Sequence, residues 1–302
     1  MESKLSSFSI SETTHQTLLN SGTKSTPSSV NRLWRPAAQR NMKNQWSRLN
    51  SLRQEWFSSS SAARSHATSL VNAYLSQRYM KDMELGVLSD MPDIQKKACS
   101  KLLKQQVLHR DKLLSSYKEM VATVFNMVNT SSSLRCFHQG GTNSSHIRFS
   151  SNSEDATNDG DGGGVPVYTF WSISCFEKLA LELVQMFKLE LYMKRLLVIE
   201  ILSLKNKDVS IIKRLSWSDE IYQGEFDDLR RCNFDHKEGF ESAPPKLIGC
   251  ISETLTQPNN QPDSDVLEIY LTAWLTDVNI DKQRMEDIFS EVGEEMHTNF
   301  FS

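Results

Sequence analysis

Residues 93–128 read DIQKKACSKLLKQQVLHRDKLLSSYKEMVATVFNMV, a run with neither Gly nor Pro in it. Pro92 stands just before the run, and Asp93 places a carboxylate near the amides of a first helical turn. Leu103, Val107, Leu114, Tyr117, Val121, Val124 and Val128 recur at heptad-like spacing, broken once where Arg110 stands. Leu113, Met120 and Met127 form a second row that widens the apolar face towards the C-terminal end. A face this wide asks for partners on two sides. The expectation is the spine of a helical bundle rather than one strand of an isolated coiled coil.

Working outward, the flanking segments read as shorter helices and connectors. Residues 1–28 are polar and rich in Ser and Thr, the composition of a disordered tail. Pro36 forces a break or a new first turn, and a helix follows over Ala37–Phe57. The serine run Ser58–Ser61 is expected to interrupt it before a second helix, Ala62–Tyr79, with Ala63, Ala67, Leu70, Ala73 and Tyr74 on one face. Met80–Pro92 is a connector whose Met83, Leu85, Val87 and Leu88 can plug the bundle end.

Beyond the spine, Asn129–Ser133 is a polar stop and Leu134–Phe137 a short strand or turn. Residues 138–164 are a flexible insertion rich in Gly and Asp. Read as a calcium loop from Asp155, this insertion meets Pro166 where a glutamate ligand belongs; read as a phosphate loop it lacks the Gly-Lys-Ser/Thr ending. Val165–Phe170 is short and β-rich, and Ser174 with Glu177 has the spacing of a capping box for a helix over Cys175–Lys205. Short helices over Ser210–Leu215 and Ser218–Arg231, an ambiguous Lys246–Thr256, and amphipathic helices over Asp265–Asp277 and Asp281–Phe300 complete the chain. The fold class is therefore mainly α: an irregular helical bundle around one long helix, with a disordered N-terminal tail and a Gly/Asp-rich loop insertion. The chain divides into that tail, a basic N-terminal helical region (29–137), the insertion, and a C-terminal helical region (165–302) with an acidic end.

Charge is distributed unevenly although the net charge is only −3. Arg32, Arg35, Arg40, Lys43, Arg48, Arg53 and Arg64 meet one acid, Glu55, at the front; Asp263 to Glu295 is strongly acidic. The two ends pair with each other or face different partners. Trp34, Trp46 and Trp56 lie among the arginines, which admits two readings. One is a basic, aromatic surface suited to phosphate contact and stacking. The other is a helix whose tryptophans sit in a core or partner groove while the arginines stay solvated. Helical spacing of Trp46 and Leu49 favours the second. The candidate partner- or DNA-binding residues are Arg32, Trp34, Arg35, Arg40, Lys43, Trp46, Arg48, Arg53 and Trp56.

Signatures of chemistry are weak. Cys136 with His138 and His146, and Cys232 with His236, lack the paired spacing of a zinc site. There is no Gly-x-Ser-x-Gly and no kinase set, and adjacent acids such as Asp227 and Asp228 point different ways on a helix. Neither an enzyme nor a metal or other cofactor is expected. The most apolar stretch, Leu189–Leu204, carries Glu190, Lys194, Arg195 and Glu200 and is not a membrane span. The five cysteines, Cys99, Cys136, Cys175, Cys232 and Cys250, read as free thiols in a reducing compartment.

Three stretches carry a resemblance: SVNRLWRPAAQRN (29–41); RSHATSLVNAYLSQRYM (64–80) with MELGVLSDMPDI (83–94); and GDGGGVPVYTFW (160–171). Together they resemble the plant multipolar spindle family, also called recombination initiation defect proteins, which is likened to the fungal and animal Mei-four meiotic accessory factors. The likeness spans roughly residues 29–205. It implies a non-catalytic nuclear protein that promotes programmed double-strand breaks in meiosis, with other recombination-initiation accessory proteins as partners and DNA as a further contact. It also implies an N-terminal helical region that binds a partner subunit, which by position is Trp34–Phe57. The alternative is a coiled-coil factor that organises the bipolar meiotic spindle.

Overall fold

The computed structural model describes residues 29–80, 82–137, 166–204, 215–232 and 262–300, with the side chains of 29–34, 136 and 137 left out. The expected tail (1–28) and insertion (138–164), the Ser210–Leu215 helix apart from Leu215, and Lys246–Thr256 lie outside these residues. Among the described residues the fold is mainly helical, with α1 (Ser29–Tyr79), α2 (Ile94–Ser133), α3 (Ile173–Leu202), α4 (Glu225–Arg231), α5 (Ser264–Thr276) and α6 (Lys282–Met296), and no strand.

α1 is the longest helix, and it runs straight through two expected interruptions, Pro36 and the serine run. At the serines, Ser59 Oγ donates to Trp56 O at 3.0 Å, so the hydroxyl bonds within the helix instead of competing with it. Ser59 and Ser60 are buried, and Ser60 O accepts the indole N–H of Trp274 on α5 at 3.1 Å. Small side chains here admit a tryptophan from a distant part of the chain. Burying it outweighs a helix-propensity cost of a few tenths of a kcal/mol per serine.

α1 and α2 form an antiparallel hairpin. Asn41 Nδ2 donates to Ser133 O at 3.2 Å at one end, and Gln95 Nε2 to Met80 O at 2.6 Å at the other. Between them Gln106 Nε2 bonds Ala73 O at 3.2 Å and Gln77 Oε1 at 2.6 Å. α3 lies antiparallel to α2: Arg135 pairs with Glu177 near the start of α3, and Arg110 reaches the carbonyls of Leu202 and Leu204 at its end. α5 and α6 together run back along α1 and α3. Trp274 meets Ser60, and Phe289 meets Trp46 with ring centroids 5.8 Å apart. Helix-turn geometry therefore places α2 on one side of the α1–α3 pair and the α5–α6 elbow on the other.

The core is centred where all these helices meet: Met42, Trp46, Leu49 and Trp56 of α1, Tyr117, Met120 and Val124 of α2, Phe176 and Phe187 of α3, Phe289 of α6. Edge-to-face contacts join Trp56 to Phe187 at 5.5 Å and Phe289 to Phe300 at 5.8 Å. Phe300 folds back because Gly293 has no Cβ; a Cβ there would lie 2.6 Å from Thr298 O. Asn50 Nδ2 then donates to Phe300 O at 2.9 Å. The basic front and the acidic end of the chain thus pack together, largely through aromatic contacts.

Several local expectations are corrected. Asp93 precedes α2 in a left-handed conformation (φ 61°) and makes no side-chain cap; it pairs with Lys96 at 3.8 Å instead. α2 continues through the polar 129–133, because Thr130 Oγ1 and Ser133 Oγ donate back to carbonyls of the preceding turn. Residues 134–137, expected as a strand or a turn, form a 3-10 turn. α3 starts at Ile173, before Ser174; its N-cap Ser172 makes no side-chain cap bond, and Glu177 pairs with Arg135. Only Glu225–Arg231 of the expected Ser218–Arg231 helix is helical. The connector does not plug the bundle end: Met83, Val87 and Leu88 are exposed, Val87 to 90%.

Candidate interaction surface

The nine candidate residues divide by their position around α1. Arg32 and Trp34 have side chains outside the described residues. Trp46 and Trp56 are fully buried in the chain's own core, so neither is available to stack on a nucleic acid or anchor a partner; as contact residues both are withdrawn. Arg35 is used internally, with Nε donating to Val167 O at 2.9 Å and the guanidinium also reaching Tyr168 O. Gln39 supports the same turn, its Nε2 donating to Val167 O at 2.7 Å while its backbone carbonyl accepts from Tyr168 Oη at 2.6 Å. Arg53 lies over the Phe289 ring at 4.6 Å; burial lowers its pKa while the nearby Glu286 raises it.

Arg40, Lys43 and Arg48 remain on the surface. At steps of three and five they spread over the side of α1 turned away from Met42, Trp46 and Leu49, a side that also carries Asn44, Ser47 and Ser51. At 1.5 Å per residue this basic strip is about 12 Å long. α2 carries a second strip: Lys97, Lys101 and Lys104 at steps of four and three, exposed near the hairpin end.

Two buried ionic centres were not foreseen as such. In one, Lys194 Nζ sits 2.9 Å from Glu190 Oε1 and 3.2 Å from Asp277 Oδ1, and also donates to Trp274 O. Glu190 Oε2 accepts from Asn279 N at 2.9 Å. In the other, Arg195 Nε meets Glu225 Oε1 at 2.8 Å, and its remaining nitrogens donate to Trp217 O and Asp219 O, both at 2.9 Å. Tyr117 Oη donates to Glu225 Oε1 at 2.6 Å, and burial followed by the Glu225 charge pushes its pKa well up, so it stays a donor. These centres bolt the α5–α6 elbow and α4 to α3. The charges in them pair with one another or with main-chain groups, and Asp277 also lines an open surface pocket with Phe57, Ser60, Arg64, Trp274 and Lys282. The sequence signal was present: adjacent Lys194 and Arg195 in a strongly apolar helix, with Glu190 one turn before.

Among the described residues no cluster of His, Cys, Asp or Glu is arranged to hold a metal ion. Cys232 is buried and its thiol is pushed up to about 12, chiefly by burial, so it is an inert core thiol. Its companion His236 lies outside the described residues. No helix among the described residues is long and apolar enough to cross a membrane. No protein-family model matches the chain, and no curated protein matches its sequence.

Proposed function

We propose that this chain is a non-catalytic nuclear scaffold of meiosis that promotes programmed double-strand break formation by holding partner subunits, and through them DNA, on the outer faces of a rigid helical bundle. The family resemblance of residues 29–41, 64–94 and 160–171 supplies the biological setting. The observation that carries the binding role is the exposed strip Arg40, Lys43 and Arg48, presented by a helix whose opposite face is locked into the core by Met42, Trp46 and Leu49. A rigid helix with three outward cations meets phosphates or an acidic subunit without ordering cost at the moment of binding.

The test is a pull-down from meiotic cells comparing wild type with Arg40→Glu/Lys43→Glu/Arg48→Glu, joined to a duplex-DNA titration over a salt series. Recombination-initiation subunits are expected with wild type and lost with the triple reversal. If DNA is bound directly, the slope of log affinity against log salt falls by about 3 when the three cations are removed. Recovery of tubulin-associated proteins with no recombination factor would overturn the reading and favour the spindle alternative.

A further inference from the structure

The apolar seam of α2 is longer than the helix that covers it. From Leu114 through Val128 the seam packs on α3, but α3 stops at Leu202, where Arg110 satisfies its last carbonyls. Beyond Arg110 the same stripe continues as Val107, 53% exposed, and the half-buried Leu103; Leu108, 49% exposed, stands about 100° further round the helix. Lys97, Lys101 and Lys104 share this outward side, one turn apart from one another and from Leu108. The result is an apolar face with a lysine rim, shaped to continue α3 but holding no helix among the described residues.

α5 presents the complement. Its inner face, Leu267 and Trp274, is buried against α1 and α3. Its outer face carries Asp265, Glu268, Ile269, Thr272 and Leu275, all exposed, with Ile269 at 64% and Leu275 at 54%. Acids and large apolar side chains alternate there at helical spacing, as they do in amphipathic helices that lie in grooves. The residues that follow α3 in the chain cannot supply the acids: Lys205, Lys207, Lys213 and Arg214 surround a single Asp208. Nor can a chain's own α5 turn its outer face to its own hairpin, because Trp274 and Asp277 hold it by Ser60 and Lys194.

We propose that the outer face of α5 in one copy docks on the Leu103–Leu108 face of α2 in a second copy, with Asp265 and Glu268 against Lys101 and Lys104. Two different patches meet, so a pair of copies keeps one hairpin face and one α5 face free, and the contact propagates head to tail. α5 is about 20 Å long, and such a patch buries well under the roughly 800 Å² per partner of a standard interface. The association is therefore weak, reversible and dependent on concentration and salt. It goes beyond the scaffold reading and uses none of the residues on which that reading rests.

Sedimentation velocity of the full chain over a concentration series tests it. The wild-type weight-average coefficient should rise with concentration and fall back in high salt. Lys101→Glu/Lys104→Glu and Asp265→Lys/Glu268→Lys should each weaken self-association by at least about tenfold. An equimolar mixture of the two variants should regain it, because each then offers the charge that the other lacks; this recovery also shows that both variants are folded. Arg40→Glu/Lys43→Glu/Arg48→Glu should leave the association unchanged, so failure here is separable from failure of the scaffold reading. A wild type that stays monomeric throughout, association that survives both reversals, or variants that do not restore each other would overturn the proposal. So would capture of an acidic amphipathic peptide by the lysine face of a wild type that remains monomeric, which would assign that face to a different protein.

Discussion

The two ends of the α1–α2 hairpin are built from similar sequence and live in different surroundings. At the proximal end, the inner face of α1 from Ala38 to Trp56 is covered by α2, α3 and α6, and Trp46, Trp56, Tyr117, Phe187 and Phe289 have no more than a trace of exposed surface. At the distal end only α1 and α2 remain among the described residues. Tyr74, Val71 and Gln106 are still buried between them, but Tyr79, Met83, Val107 and Leu108 face outward. The difference teaches that helical periodicity reports which side of a helix is apolar, and the lengths of the neighbouring helices decide how much of that side is covered. Arg110 marks the boundary, where an arginine replaces an apolar seam residue because α3 ends beside it.

The comparison can be broken most directly by substitution in the core. Trp56→Ala should cost about 3–5 kcal/mol, and Arg195→Met a similar amount, about 3–5 kcal/mol, because Glu225 would be left buried without its cation. Val107→Ala at the distal end should stay within about 0.5 kcal/mol. Urea unfolding monitored by circular dichroism measures all three, and a large loss at Val107 would mean that the distal face is covered within one chain. Next in size is the boundary itself. Arg110→Ala removes charged hydrogen bonds to two carbonyls and should cost about 1.5–3 kcal/mol. Hydrogen exchange should then quicken both at the end of α3 and around Gln106–Leu113, while the Met120–Val128 segment stays protected.

The smallest effect is a pH dependence confined to the distal half. His109 on α2 faces His66 of α1, their rings 5.8 Å apart, with Lys112 on its own helix. Burial, then the neighbouring His66 and Lys112, lowers the His109 pKa from its ordinary 6.5. A histidine depressed in the folded state binds its proton more readily when unfolded, so its contribution is intact above about pH 6.5 and is lost as pH falls through the folded value. Distal-hairpin amides should lose exchange protection as pH drops below that point, proximal amides should not, and His109→Gln should flatten the difference. Equal pH response at both ends would show that His109 is not its source.

Much of the architecture was legible in the chain. The Asp93–Val128 run marks α2, and the spacings of Val266–Trp274 and Met285–Val292 mark α5 and α6 to within a few residues. The periodicity of Trp46 and Leu49 points to burial, and both are buried in the chain's own core. The candidate surface was less legible. Of the nine proposed residues, Arg40, Lys43 and Arg48 face outward on α1, and Arg35, though exposed, holds the Val167–Tyr168 turn. A helical pattern cannot tell a tryptophan that anchors a partner from one that anchors Phe289 of the same chain, because both obey the same spacing. The serine run failed as a break for a related reason: intrinsic propensity is worth tenths of a kcal/mol per residue, and a buried tryptophan pressed against Ser60 is worth more.

What the amino-acid sequence determined by itself was local: which segments are helical, which face of each is apolar, where cations and acids concentrate. Those properties follow from covalent geometry and from neighbours three or four residues away. What only the tertiary structure decided was the use of each face. It joined two expected helices into one α1, turned Lys194 and Arg195 inward by bringing Asp277 and Glu225 to them, and stopped α3 short of Leu103 and Val107. Those outcomes depend on groups from 30 to 214 residues away in the chain, whose desolvation and pairing energies exceed any local preference.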